Sequence, residues 1–477
     1  MDPSDKFHDE CGLMAVWNHA EAANLAYLGL YAQQHRGQEG AGVVSVHHNG
    51  SSEPHFSVHK GLGLVADVFA DFDFSRLPGS VAVGHVRYTT AGGNKLANVQ
   101  PFVADISLGY TAVAHNGNLV NAEELRQQMI REGSIFATTS DTETILHLLA
   151  RGDREQPLAE NVIGALQRLQ GAFSLLLLFE DRLMAVRDRH GLRPLAMGTL
   201  HGAKVFASET CAFDLIGAKY ERDVAPGELI EILRDGSMRS FFPFGFAREA
   251  PCIFEFVYFA RPDSNVFGKN VYQLRKNMGA ELARENRVAA DLVTAVPDSG
   301  TAAAIGYAEA SGIPLEMGLV RNHYVGRTFI EPKQSIRDFG VKIKLNPNPE
   351  LLKGRSVIVV DDSIVRGTTS KKLVAMLRQA GAREIHLRIS SPPTTDPCYY
   401  GIDTPDKAEL IAAKHSIGEI ARYIGVDSLG YLSLDGLYRA VGSTPGKFCD
   451  ACFSGKYPAG SPVSISPKRQ QLLFEAK

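Results

Sequence analysis

Residues 357–370, VIVVDDSIVRGTTS, hold the densest chemistry in the chain. Four branched residues in a row, 357–360, predict a strand covered on both faces. That strand delivers Asp361 and Asp362 at its C-terminal end, where open α/β sheets bind ligands. Ser363, Gly367, Thr368 and Thr369 then open a helix, and hydroxyls with backbone N–H groups at a helix N-terminus make an anion site. Adjacent carboxylates suit sugar hydroxyls or a divalent cation that retains its waters. Together these residue types describe a pocket for a phosphorylated sugar. A bare Asp-Asp pair reads equally well as an acidic cap after a core strand. The full order of strand, DDS, glycine and paired threonines argues against that.

Six cysteines stand at 11, 211, 252, 398, 449 and 452, too sparse for a disulfide framework. Cys449 and Cys452 form a Cys-x-x-Cys pair in KFCDACFSG, Cys252 lies in APCIFEFVYFARPDS, and Cys398 in TDPCYYGIDTP. Four thiolates suit either zinc or an iron–sulfur cube, and spacing does not decide between them. Cys211, in SETCAFD, matches no site pattern and reads as core. Cys11 follows ten residues of acidic, unremarkable sequence. A thiol with a pKa of about 8.5 needs a base at neutral pH, and an α-amino group titrating at about 7.7–8.0 can be that base. If residues 1–10 are a propeptide, their removal gives Cys11 both roles.

The 357–370 segment resembles the phosphoribosyl-diphosphate (PRPP) motif of the type I phosphoribosyltransferases. VPDSGTAAAIGYA, residues 296–308, is similar to that family's pyrophosphate and metal loop, which implies binding roles for Asp298, Ser299, Gly300 and Thr301. RNHYVGRTFIEP, residues 321–332, resembles a flap that closes over PRPP, with Arg321, Tyr324 and Arg327 as ligands. Arg321 stands where Lys is usual, and His323 where Arg is common; both keep a donor. In the first half, QQHRGQEGAG (33–42), GHVRYTTAG (84–92), AHNGNLVN (114–121) and SDTETI (140–145) resemble, in order and spacing, the N-terminal-nucleophile glutamine amidotransferases.

The two halves together resemble the amidophosphoribosyltransferase family, in its iron–sulfur-cluster-bearing branch, over roughly residues 11–458. The resemblance implies that Cys11 is the nucleophile and that the Asn116 side chain and Gly117 backbone stabilise the oxyanion. Arg87 would clamp the glutamine α-carboxylate, and Asp141 would pair with its α-ammonium. His35, His85 and His115 lie near these segments and read as structural. The resemblance also implies a [4Fe–4S] cluster on Cys252, Cys398, Cys449 and Cys452. Mg²⁺ is expected at Ser299, Asp361 and Asp362, where it would neutralise charge on departing pyrophosphate. Internal transfer of ammonia from glutamine to PRPP, inhibition by purine nucleotides and a homotetramer are further expectations. A glucosamine-phosphate synthase would share the first-half chemistry but carry sugar-isomerase domains in place of 357–370. A PRPP-sensing regulator would not need Cys11, Arg87, Asn116 and Asp141 together.

The elements that must position these residues change rhythm along the chain. Short apolar strands dominate the first half, over 80–86, 111–114, 173–179, 183–186 and 204–208, with helices near 21–34, 141–150 and 158–169. The turn Glu180-Asp181-Arg182 predicts a hairpin. Antiparallel strands with flanking helices predict an α+β domain, which the resemblance makes a four-layer αββα fold over 11–245. After a linker at 242–251, Val271, Leu274, Met278 and Leu282 recur at helical spacing. Strands at 292–296, 357–360 and 385–389 alternate with helices, one ending near Gly312 and one over 371–380. That alternation predicts an α/β domain with a parallel sheet over 252–440. The tail from 441 is rich in Gly, Pro, Ser and Lys and reads as extended.

At 477 residues, with about 150 residues per domain, two or three domains are expected. Fifty basic and 53 acidic side chains leave a net charge of −3 with the signs mixed, so no basic field for nucleic acid is implied. No apolar run approaches the roughly 18 residues of a membrane span. The start, MDPSDKFHDE, lacks a secretory apolar stretch, and a cytoplasmic protein is expected.

Overall fold

A computed structural model of the chain describes residues 11–48, 54–88, 95–322 and 345–462. The expected propeptide, residues 1–10, and the flap residues Tyr324 and Arg327 lie outside the described residues.

The first half is built from β1 (Gly12–Trp17), β2 (Gly40–His48), β3 (Pro54–Leu62), β4 (Val81–Arg87), β5 (Phe102–Ile106), β6 (Gly109–Leu119), β7 (Gly171–Phe179), β8 (Arg182–Arg187), β9 (Ala196–Leu200), β10 (Ala203–Ala207), β11 (Lys219–Asp223), β12 (Leu229–Leu233) and β13 (Met238–Phe241). They form two antiparallel sheets, ordered β11-β9-β10-β1-β4-β2-β3 and β13-β12-β8-β7-β6-β5. Arg182, read as a turn residue, begins β8 instead because it pairs with Leu233.

The two-residue period of a strand explains the layering. In β1, Leu13, Ala15 and Trp17 face the second sheet, while Met14 and Val16 pack with Ala26 and Leu30 of the helix Ala22–Ala32. In β7, Leu176 and Leu178 face the first sheet. Phe173, Leu175, Leu177 and Phe179 face Ile145, Leu148 and Val162 of the helices Thr142–Leu149 and Leu158–Leu166. Helix, sheet, sheet and helix therefore stack as four layers around three apolar seams.

The second half opens with a short hairpin, β14 (Asn265–Val266) and β15 (Lys269–Asn270), and the helix Val271–Glu285. Its sheet joins β16 (Leu292–Ala295), then, past the paired β17 (Leu319–Arg321) and β18 (Leu345–Pro347), β19 (Ser356–Asp361), β20 (Glu384–Ile389) and β21 (Ser428–Tyr431). All pairings in the order β16-β19-β20-β21 are parallel. Alternate β19 residues divide between two cores. Val357 and Val359 pack with Leu373 and Leu377 of the helix Thr368–Gln379, and Ile358 and Val360 with Met278 and Tyr307.

Residues 441–462 correct the expectation of an extended tail. Cys449 makes a strand-like bridge with Cys252, residues Ala451–Ser454 form a helical turn, and Phe448, Cys449 and Cys452 are buried. Composition misled because a segment with few apolar residues can still be pinned by three of them. Among the described residues no helix is long and apolar enough to cross a membrane.

Candidate active sites

The first site forms where both sheets of the first half end together. Cys11 precedes β1 and is almost out of solvent, with its Sγ 3.8 Å from the Tyr88 carbonyl. β1 and β4 pair Gly12 with Val86, so Arg87, also buried, lies at the same strand end as Cys11. Asn116 comes from β6 in the other sheet. Ser208, just past β10, links the two: its Oγ accepts from Leu13 N at 3.0 Å and from Asn116 Nδ2 at 3.4 Å. Gly117 has φ +144°, and a Cβ there would stand 2.1 Å from the Ala172 carbonyl oxygen. Only glycine fits that backbone. Asp141 Oδ2 accepts from Leu119 N at 3.0 Å, which fixes the carboxylate two residues beyond Gly117.

The histidines hold this frame. His115 bonds Thr142 Oγ1 through Nδ1 at 3.1 Å and the Ala172 carbonyl through Nε2 at 3.3 Å, while Gln100 accepts from its backbone N–H at 2.7 Å. His85 Nε2 contacts the His115 carbonyl at 3.0 Å, and burial pushes its pKa down to about 3. His85 is therefore neutral at working pH. His35 contacts Glu209 at 2.8 Å. Burial alone would raise the Glu209 carboxyl, but His35 and Arg36 outweigh it and hold Glu209 well below the usual carboxylate range.

The second half reaches this site directly. Asn118 Nδ2 donates to the Tyr399 carbonyl at 3.0 Å, and Gly401 packs against the Gly117 backbone. Nothing in the sequence pointed to Ser208 or Glu209. Gln33 Nε2 donates to the Leu13 carbonyl at 3.0 Å, and the motif QQHRGQEGAG, which holds both Gln33 and Arg36, could have suggested these two.

The second site gathers at the C-terminal end of β19. Ser299 Oγ donates to Asp361 Oδ1 at 3.2 Å, which joins the 296–301 loop to the aspartate pair. Asp361 Oδ1 also accepts from Asp362 N at 2.9 Å, and Asp362 Oδ1 from Ser363 Oγ at 2.5 Å. Asp362 Oδ2 is buried and has no hydrogen-bond partner among the described residues. Gly300 lets the loop lie against β19, since a Cβ would meet the Val360 carbonyl oxygen at 2.3 Å. Asp298 and Arg321 form an exposed ion pair beside it. Gly367 takes φ +78°, and the helix starts at Thr368, three residues before the expected 371, so Thr368 and Thr369 lie in its first turn.

Cys252, Cys398, Cys449 and Cys452 line one small hollow, with Leu192, Arg193, Tyr400, Ile402, Ala451 and Tyr457. Burial pushes the Cys449 thiol up to about 12. Among the described residues, no three His, Cys, Asp or Glu side chains are gathered so as to hold a single metal ion. Cys211 lies apart, buried against the Ala32 carbonyl.

A family model described as a glutamine amidotransferase domain matches residues 86–214. The chain is 49% identical over 457 residues to a protein named amidophosphoribosyltransferase from Bacillus subtilis (strain 168), covering 94% of each. A chloroplastic amidophosphoribosyltransferase of Glycine max is 52% identical over 98% of this chain and 81% of its own length. Among solved structures, glutamine PRPP amidotransferase from B. subtilis complexed with ADP and GMP superposes with a TM-score of 0.89 at 47% identity, covering 96% of this chain and 99% of that one.

Proposed function

The chain belongs to the amidophosphoribosyltransferase family, and we propose that its two sites divide that family's reaction between them. The enzyme converts glutamine, PRPP and water to 5-phospho-β-D-ribosylamine, glutamate and pyrophosphate, the first committed step of purine biosynthesis. One observation carries the division of labour. Leu13, two residues after Cys11, and Asn116 of the other sheet are tied through Ser208 at one end of the first half, and a second set of polar groups surrounds Asp361 at the C-terminal end of β19 in the other.

Cleavage before Cys11 frees its α-amino group, which takes the thiol proton as Sγ attacks the glutamine amide carbon. Asn116 and the Gly117 N–H hold the developing oxyanion. Arg87 clamps the α-carboxylate and Asp141 the α-ammonium. The same α-amino nitrogen returns its proton to the departing ammonia, and water releases glutamate from the thioester. Ammonia then passes internally to C1 of PRPP and displaces pyrophosphate. Asp361 and Asp362 hold the ribose hydroxyls, Thr368 and Thr369 the 5-phosphate, and the 298–301 loop the pyrophosphate. Arg321, Tyr324 and Arg327 belong to a flap that excludes water from the sugar cation.

The Asp361 carboxylate, which the Ser299 hydroxyl bonds, and the adjacent Asp362 carboxylate, one of whose buried oxygens no described residue bonds, fit Mg²⁺, which takes one or two carboxylates plus substrate phosphates. When bound it neutralises charge developing on pyrophosphate. Cys252, Cys398, Cys449 and Cys452 line one hollow. Four thiolates suit either a [4Fe–4S] cube or a zinc ion, and the resemblance to the cluster-bearing branch is what favours the cube. Such a cluster would serve structure or oxygen sensing, since neither half-reaction moves electrons. Purine nucleotides as feedback inhibitors, a homotetramer and a cytoplasmic location complete the reading; the relative solved with ADP and GMP supports the first.

The decisive experiment is PRPP-dependent glutamate production by the full chain prepared anaerobically. Hydrolysis of glutamine that ignores PRPP would sink the coupling. Intact Met1 in fully active enzyme would refute the propeptide, and one zinc without iron per chain would refute the cluster.

A further inference from the structure

Cys11 is held by a buried charge network whose central carboxylate belongs to the other half of the molecule. Arg36 Nε donates to the Cys11 carbonyl at 3.2 Å. Its Nη1 and Nη2 donate to the two oxygens of Glu255, at 2.9 and 2.8 Å, and Nη1 also reaches Glu209 at 2.6 Å. Glu255 takes a further bond from Arg193 Nη1 at 3.3 Å, and Arg193 Nε donates to the Tyr400 carbonyl at 2.8 Å. Both Glu255 and Arg193 are fully buried. Glu255 opens the helical turn Glu255–Phe259, and Arg275, from the helix Val271–Glu285, donates to the Phe256 and Ala260 carbonyls at 2.8 Å each. The chain of contacts thus runs from the second half's first long helix to the residue that carries the thiol.

We infer that Glu255 is a positioning residue for the Cys11 thiol, acting through the Arg36 fork, so that the first site is competent only when the second half is seated on it. This rests on the reading of Cys11 as nucleophile. A guanidinium is planar and rigid, so a bidentate carboxylate fixes its plane. With both terminal nitrogens committed, the direction of Nε is set, and with it the Cys11 carbonyl and the torsions that aim Sγ. Two arginines and two carboxylates balance in charge, so the network specifies geometry more than it adds stability. Its members lie far apart in sequence, at 36, 193, 209 and 255, and only this packing brings them together.

The test compares full-length enzyme with E255Q, E255D and R36K. Three readings are made on each: glutamine hydrolysis, ammonia-dependent ribosylamine synthesis, and the rate at which iodoacetamide alkylates Cys11, followed by mass. E255Q should lower kcat for glutamine about tenfold or more, with KM within about threefold. Alkylation should slow in parallel, and ammonia-dependent synthesis should stay within about twofold. E255D, which keeps the charge, should recover part of the loss. If E255Q does not fold, R36K carries the test: it preserves the charge balance, removes the fork, and should give the same split. Equal loss of both activities in either variant, or an unchanged alkylation rate, overturns the inference. A Cys11→Ala chain that still uses glutamine would instead remove the nucleophile reading on which it stands.

Discussion

In the first half, Cys11, Arg87 and Asn116 are nearly out of solvent, and neighbours such as Ser208, Gln33 and Arg36 hold the site's backbone and side chains before any ligand arrives. In the second half, Asp298 and Arg321 stand in solvent, and Asp362 keeps a buried oxygen that no described residue bonds. The difference follows the chemistry. Attack by a thiol on an amide needs a nucleophile and oxyanion donors that do not reorganise as charge develops. Displacement of pyrophosphate from a sugar brings its own charges and, under the proposed function, would bring a metal, so the protein supplies a cradle that the ligand completes. A prebuilt site is paid for in folding; a cradle is stabilised by what it binds.

The strongest test of that contrast removes one site entirely. Cys11→Ala should cut glutamine-dependent synthesis by about a thousandfold or more while leaving ammonia-dependent synthesis within about twofold. A comparable fall in both would break the separation of the two sites. Conversely, Asp362→Asn should cost about a hundredfold to a thousandfold in synthesis from either nitrogen source. Glutamine hydrolysis without PRPP should change by less than about threefold. Chelation of Mg²⁺ should reproduce that pattern in the unaltered enzyme.

Within the prebuilt site, Asn116→Ala should lower kcat for glutamine hydrolysis by about 10²-fold with little change in KM, as expected for a donor used in the transition state. Arg87→Lys keeps the charge and loses the fork, so it should raise KM for glutamine about tenfold with a smaller effect on kcat.

The smallest effect concerns the cost of burial in the first half. Burial holds the folded-state pKa of His85 at about 3, far below the ordinary value near 6.5. The unfolded chain therefore takes up a proton that the folded chain refuses. Stability from this group is complete above about pH 6.5 and is lost progressively as pH falls toward 3. Urea titrations at pH 7.5 and 5 should differ by about 2 kcal/mol from His85 alone, and His85→Gln should shrink the difference. Were the difference unchanged, His85 would not be the group that makes this half acid-sensitive.

The second site was the more legible from sequence because its groups are contiguous. Asp361 ends one strand, Asp362 and Gly367 lie in the loop after it and Thr368 opens the next helix, and a buried strand of branched residues announces itself locally. The edge strands were not legible: β11, KYERD, is largely exposed and carries no apolar pattern, and β3 has no buried residue, only half-buried and exposed ones. Glu255 sat unnoticed in FEFVYF, where apolar neighbours make it look like an exception in a core segment. Ser208 was equally silent, an ordinary serine at a strand end.

By itself, then, the sequence determined the chemistry available: a thiol near the start, carboxylates at a strand's end, five more cysteines, and the periodicities that make strands and helices. Those properties reside in single residues and short runs, where side-chain type and backbone preference act locally. Tertiary structure alone decided which distant groups share a site: Asn116 beside Ser208, Glu255 on Arg36, and Gly401 against Gly117. Hydrogen bonds and ion pairs of that kind have a range of a few ångströms, and only the packing of two sheets and two halves brings residues so far apart along the chain within it.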